Sequence, residues 1–251
     1  MKFAGIIAEY DPFHNGHAWQ LAQAKALGAE RVAVAMSCSL VQRGALPLLP
    51  EAVRTRSALT CGPALVFAMP APCACAGAEA FARADVALLA AAGCDGLVFG
   101  AETPDAALLM EAAELLDSDS YRAALKAQLA GGARSFAAAR QAAAAQLASD
   151  ERVAALLDKP NNNLAVEYCR AIRSLAPRME AYPLPRQGAN HGEALHSAHG
   201  QFASASALRK LWAEGGADAV APYVPEAVFP LYQEAYAAGQ YTDFSAAGRC
   251  E

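Results

Sequence analysis

Four short apolar runs, each followed by a segment with helical spacing, constrain this chain more than anything else in it. "KFAGIIAE" precedes "GHAWQLAQAKAL", which Gly28 stops, and "RVAVAM" precedes "PEAVRTRSALTC", with Pro50 near its first turn. "ALVFAM", closed by "PAP", precedes "AEAFARADVALLAAAG", and "DGLVFG" precedes "PDAALLMEAAELLDS". Runs apolar along their whole length suit strands buried on both faces. Parallel strands need a long crossover, usually a helix, to return to the same sheet edge. The order therefore predicts an α/β fold of Rossmann type, a parallel sheet flanked by helices.

The rest of the chain adds to this core. Residues from about 119 to 157 are alanine-rich and predict a helical insertion or lid. "KPNNN" is expected to break the helix before "LAVEYCRAIRSL", and "MEAYPLP" to form a fifth strand, with Pro183 and Pro185 favouring an edge or an early strand end. "RQGANHGEALHSAHGQ" reads as a polar loop, and "SASALRKLWAEGG" as a serine-capped helix. The last thirty residues read as helical and tyrosine-rich, without an obvious stop. The expected division is one α/β domain over 1–215, which includes the helical insertion, and the start of a helical C-terminal region over 216–251.

Ligands of open parallel sheets bind beyond the carboxyl ends of the strands. The first such place holds "EYDPFHNGHAWQ", with His14 and His17 on one side of a helix start and Gly16 between them. A helix N-terminus offers unpaired N–H groups and a positive dipole end, which suit an anion. Gly16 lets a flat base or ribose lie against the backbone. A pair of surface histidines capping a helix would explain two histidines alone. The complete "PFHNGH" at a strand-to-helix junction favours phosphate instead.

Composition narrows the classes. Hydrophobic residues make up 55% and charged residues 18%, which excludes a disordered chain, and a net charge of -5 provides no global basic field for nucleic acid. "MKFAGIIAEY" is too short an apolar run for a signal, and no uncharged run is long enough to span a bilayer, so the expectation is a cytoplasmic protein without a membrane partner. The seven cysteines fit buried thiols in a reducing compartment. The close Cys73–Cys75 pair and the loop histidines His191, His196 and His199 lack zinc-like spacing, so no protein-held metal is expected. "LVFGAET" is no P-loop.

"PFHNGH" is similar to the H-x-G-H signature of nucleotidyltransferases and class I aminoacyl-tRNA synthetases. The longer "EYDPFHNGH" resembles the tRNA(Met) cytidine acetate ligase family, and further blocks follow in that family's order. They are "SCSLVQRG", "FARADVALL", "FGAE", "KPNN", "RQGANH" and "SASALRK", so the resemblance covers nearly the whole chain. It implies an enzyme that makes acetyl-adenylate from ATP and acetate, releases pyrophosphate, and acetylates the wobble cytidine of elongator tRNA(Met) at N4.

By the same resemblance, the ATP segment is Ile7, Ala8, Glu9, Tyr10, Asp11, Pro12, Phe13, His14, Asn15, Gly16, His17, Ala18, Trp19 and Gln20, with further contacts at Gly100, Asn161 and Arg186. His14 and His17 take the catalytic role at the α-phosphate. Ser204, Ser206 and Arg209 resemble a phosphate loop for the leaving pyrophosphate. Arg43 reads either as a contact to acetate, phosphate or tRNA or as a solvated loop arginine, and His191 as a polar residue near the nucleotide. Magnesium is expected on the phosphates, keeping most of its water.

Three residues depart from the family pattern. Asp11 stands where Asn is usual, and a carboxylate there would repel the triphosphate or help hold magnesium; Ala45 and Ala68 replace usual acids. Family members typically continue into a further helical region that helps hold tRNA, so a truncated or naturally short chain is expected. Lys159, Arg170, Arg173 and Arg178 read most simply as a solvated helix face. Two other functions stay open: an adenylyltransferase acting on a small phosphorylated metabolite, and a shortened, non-catalytic ATP-binding module.

Overall fold

The protein is described from a computed structural model covering residues 1–185, 195–197 and 200–244. The elements run β1 (Phe3–Ala8), α1 (Asn15–Ala26), β2 (Arg31–Ser37), α2 (Glu51–Thr60), β3 (Leu65–Met69), a single turn α3 (Ala71–Ala74), α4 (Ala78–Ala91), β4 (Gly96–Ala101) and α5 (Ala106–Asp117). They continue with α6 (Asp119–Ala130), α7 (Phe136–Leu147), α8 (Glu151–Leu156), α9 (Pro160–Leu175), β5 (Glu180–Pro185), β6 (Leu195–Ser197), β7 (Gly200–Phe202), α10 (Ala205–Val220), a 3-10 turn (Ala221–Tyr223) and α11 (Phe229–Ala237).

β1 to β5 form one parallel sheet in the order β3-β2-β1-β4-β5. Strand side chains alternate between faces, and here both faces are buried. From β1 and β2, Ala4, Ile6, Val32, Val34 and Met36 enter a core under α1, α2, α10 and α11. Ala33, Ala35, Leu97 and Phe99 enter the opposite core under α4, α5 and α9. This double burial is why the strands carry no polar alternation. β5, with its two prolines, is an edge as expected.

The insertion is three helices, α6 to α8, packed on α5 and α9. Arg140 of α7 pairs with Glu167 of α9, whose side chain is buried. Glu167 also takes Arg170 at 2.8 Å, and Arg170 reaches Asp117 at 2.8 Å. Arg173 pairs with Glu114 at 3.5 Å. Arg170 and Arg173 are thus not a free solvated face: they tie α9 to its neighbours.

Other expectations are corrected locally. The break between helices falls at 157–159, after α8 ends at Leu156, and "PNNN" already belongs to α9. Pro160 occupies the first helical position, where its missing N–H is harmless, and the asparagines form the first turn. The polar loop over 186–201 contains an antiparallel pair, β6–β7. The C-terminal stretch is not one continuing helix, because Gly216 breaks the geometry inside α10 (φ 67°, ψ -156°) and Gly239 follows the end of α11 at φ 67°. Trp212, Ala217, Val220, Val228 and Tyr232 all enter the core that holds Ile6 and Phe13. Among the described residues no helix is long and apolar enough to cross a membrane, and the six described cysteines are free thiols.

Candidate active site

Strand order reverses between β1 and β4, so the loops leaving their carboxyl ends run to opposite sides and open a crevice. The loop after β1 enters it through Tyr10, a buried tyrosine in the left-handed region (φ 49°), and the Asp11–Pro12 bond is cis. Tyr10 stands edge-on to Phe13 and to His17, both with ring centroids 4.8 Å away. Phe13 is buried, and its carbonyl accepts the Tyr232 hydroxyl at 2.7 Å.

His14 is the N-cap of α1 and His17 its third residue. The His14 Nδ1 accepts from the Gly16 N–H at 3.0 Å, and the His17 Nδ1 accepts from the His14 N–H at 3.3 Å. This is a capping box built from two imidazoles instead of a hydroxyl and a carboxylate. The rings stack at 3.7 Å and 20°. Since each Nδ1 is an acceptor, each neutral ring carries its proton at Nε2. Backbone geometry thus selects the tautomer in which both rings present an N–H donor. Gly16 serves the same arrangement: a Cβ there would stand 2.9 Å from the His14 Cε1. The space beside Gly16 is taken by that ring, not left open for a base.

The rest of the segment is held by distant elements. Asn15 donates to the Pro222 carbonyl at 3.2 Å and Gln20 to the Val98 carbonyl at 3.1 Å. Ala18 and Trp19 pack against the core beneath α1. Ile7 and Ala8 end β1. The Glu9 carboxylate accepts from the Gln42 N–H at 2.8 Å, which draws in the "QRG" loop, while Arg43 itself is exposed.

Asp11 is buried. Its Oδ1 accepts from the Leu48 N–H at 2.6 Å, and its Oδ2 pairs with Arg209 at 3.0 Å. The carboxylate that the sequence sets beside a triphosphate or a metal is committed to protein partners here. Arg209 lies one turn into α10, whose N-cap is Ser204. The Ser204 Oγ accepts from the Ala207 N–H at 3.2 Å and lies 3.0 Å from the Ser206 Oγ. The Asp11–Arg209 pair therefore joins the proposed phosphate loop to the histidine loop.

On the β4 side, Gly100 pairs with Leu184 near the strand end. The next carboxylate, Glu102, accepts from the Asn161 N–H at 3.2 Å, the Asn161 side-chain amide at 2.6 Å and the Asn162 N–H at 2.7 Å. It caps α9 from outside, as a negative group at a helix N-terminus should. Asn162 is buried and exchanges bonds with Thr103 at 2.9 and 3.1 Å. The two expected contacts after β5, Arg186 and His191, lie outside the described residues.

Sequence reasoning missed Arg54. It is fully buried and donates to the Leu49 carbonyl at 3.0 Å, to the Glu9 and Ser37 carbonyls at 2.7 Å each, and to the Cys38 carbonyl. One guanidinium thus gathers the ends of β1 and β2 and the loop before α2. Burial pulls its pKa down, opposed first by Asp11 and then by Glu51. In "EAVRTRSALT" nothing but helical phase separates buried Arg54 from exposed Arg56.

Two hollows open elsewhere on the described surface. A charged cavity of about 290 Å³ between α4 and α9 is lined by Arg170 and its acidic partners and lies away from the histidines. A groove of about 640 Å³ opens beside the end of β2, lined by Cys38, Ser39, Glu51 and Tyr241. Among the described residues no group of His, Cys, Asp and Glu is placed to hold a metal ion.

Residues 1–247 match the family model described as HIGH Nucleotidyl Transferase. A protein of Syntrophotalea carbinolica named tRNA(Met) cytidine acetate ligase is 40% identical over 86% of this chain and 52% of its own length. A Caldanaerobacter subterraneus protein of the same name is 34% identical over 96% of this chain and 60% of its own. The chain thus spans between about half and three-fifths of these relatives. The crystal structure of Thermotoga maritima TmcAL in its apo form superposes with a TM-score of 0.87 at 31% identity, covering 96% of this chain and 58% of that one. A form of the same protein bound with alpha-thio ATP gives 0.85 at 29% identity, covering 96% and 57%.

Proposed function

The chain belongs to the HIGH nucleotidyl transferase family, and from that premise we propose that it activates acetate with ATP and passes the acetyl group to the wobble cytidine of elongator tRNA(Met). The observation that carries the reading is the reciprocal histidine cap. It supplies two Nε2–H donors at the N-terminus of α1, beside the crevice where strand order reverses. Relatives named tRNA(Met) cytidine acetate ligase are 34% and 40% identical to the chain, and the superposed Thermotoga maritima protein is seen bound with alpha-thio ATP.

In this reading an acetate oxygen attacks the α-phosphorus, a P–O bond to the β-phosphate breaks, and pyrophosphate departs with the electron pair. His14 and His17 donate to the α-phosphate oxygens, where negative charge grows in the transition state. Ser204, Ser206 and Arg209 hold the departing pyrophosphate. Magnesium accompanying ATP would offset phosphate charge, and among the described residues no cluster of acidic groups is placed to hold it. The cytidine N4 amine then attacks the acetyl carbon, AMP leaves, and the amine loses one proton. Placement in the cytoplasm, where tRNA and ATP are found, belongs to the same proposal.

The test is acetate-dependent ATP–pyrophosphate exchange, with and without elongator tRNA(Met). Removing one such donor costs roughly a hundred- to a thousand-fold in rate. His17→Ala is therefore expected to abolish measurable exchange while leaving the circular dichroism spectrum intact. Exchange near the wild-type rate in that variant, or exchange independent of acetate, would overturn the reading.

A further inference from the structure

Arg209 is separated from Asp11 by almost the whole chain, yet one of its nitrogens makes two bonds there. Nη1 donates to the Asp11 carbonyl at 2.8 Å and to the Asp11 Oδ2 at 3.0 Å. Nε and Nη2 have no hydrogen-bond partner among the described residues, and the side chain is 30% exposed against 5% for Asp11. A guanidinium has two edges that can each grip a pair of oxygens. Here Nη1 is spent on the protein, and the Nε–Nη2 edge is left for a ligand.

Asp11 is itself over-determined. The Leu48 N–H holds its other oxygen, and Leu48 and Pro47 are in turn tied by their carbonyls to the Thr242 N–H at 2.8 Å and the Thr242 hydroxyl at 2.6 Å. A carboxylate fixed from two sides makes a rigid post. An arginine on a rigid post loses less rotamer freedom when it binds an anion than one swinging in water.

We infer that Asp11 is a positioning residue: it pins Arg209 by Nη1 so that the Nε–Nη2 edge receives two oxygens of the ATP phosphates, and it contacts neither nucleotide nor metal itself. This rests on the ATP site proposed above. It also explains how a carboxylate can sit in a phosphate-binding loop without repelling the ligand, since its charge is matched by Arg209.

The test is calorimetric titration of the whole chain with magnesium-ATP, independent of acetate and tRNA. Loss of an aligned, charge-assisted pair weakens binding roughly tenfold or more. Asp11→Asn, which keeps an acceptor for Leu48 but not the charge, is expected to raise the Kd for ATP roughly tenfold. Arg209→Ala is expected to raise it at least as much, and Asp11→Asn added to Arg209→Ala to change nothing further. Full additivity of the two substitutions would overturn the inference, because a carboxylate acting on the metal or on the general fold does not need Arg209. Arg209→Lys keeps a cation for Asp11 but loses the fork, so it also separates the cases if Asp11→Asn fails to fold. Wild-type ATP affinity in Arg209→Lys would overturn the proposed grip. A wild-type chain that binds no ATP would overturn the site reading and this inference together, whereas ATP binding unaffected by Asp11→Asn would overturn this inference alone.

Discussion

Asp85 allows a direct test of what burial does to a carboxylate in this fold. It lies on the stripe of α4 that carries Phe81 and Leu89, four residues to either side, and it is fully buried in the core between α4 and α9. Neither carboxyl oxygen has a hydrogen-bond partner among the described residues. Burial pushes its pKa from 3.8 up to about 8. The electrostatic neighbour on α9 is Tyr168, whose own pKa is raised by burial, then by Asp85 and Glu9, so it is neutral through the physiological range.

Between pH 4 and 8 the folded protein therefore holds a proton that the unfolded chain has released. Stability falls as pH rises through that window, by up to about 1.4 kcal/mol per unit, and is level above it. The full window corresponds to a ceiling of about 6 kcal/mol, comparable to the whole stability of many domains. Replacing Asp85 by Ala or Asn removes the titration. We expect urea denaturation at pH 5, 6, 7 and 8 to show Asp85→Ala gaining on the wild type steadily with pH, by at least about 2 kcal/mol at pH 8. Other titrating groups cancel in the difference between the two proteins. Parallel stability profiles for wild type and variant, or a variant less stable at pH 8, would refute the reasoning.

Three further perturbations test other parts of the structure. Arg54→Ala strands three carbonyls at the ends of β1 and β2 and one in the loop before α2, and it should lower unfolding free energy by roughly 3 kcal/mol or more, with Arg54→Lys in between, as read from denaturant midpoints. Gly216→Ala combines a backbone conformation nearly confined to glycine with a Cβ 2.6 Å from the Tyr236 ring; a loss of roughly 1–3 kcal/mol is expected in thermal unfolding. Glu102→Ala removes the acceptor of three bonds from Asn161 and Asn162. It should lower stability by about 1 kcal/mol and raise the KM for ATP in pyrophosphate exchange, whereas an unchanged KM would separate Asn161 from the nucleotide site.

How much of this was legible beforehand follows from the range of each interaction. The five strands, their parallel arrangement and the edge position of β5 were readable because burial on both faces, helical crossovers and proline leave their mark within a few residues. The histidine motif was readable for the same reason, since His14, Gly16 and His17 make their cap among themselves. Asn161 to Asn163 were misread as a break, because Glu102 and Thr103, which satisfy the start of α9, come from another strand end.

What the sequence by itself determined was the layered α/β architecture and the place of the histidine-capped loop at the end of β1, both products of local periodicity and turn chemistry. Tertiary structure alone decided which charges are buried and what they face. Arg54 and Arg56 occupy the same helix, and only packing buries the first beneath the loops. Asp11 is one carboxylate of the histidine loop by sequence, and it is buried as an ion pair only because α10 carries Arg209 back to it across 198 residues. A charge takes its meaning from the groups within a few ångströms of it, and in this fold those groups come from distant parts of the chain.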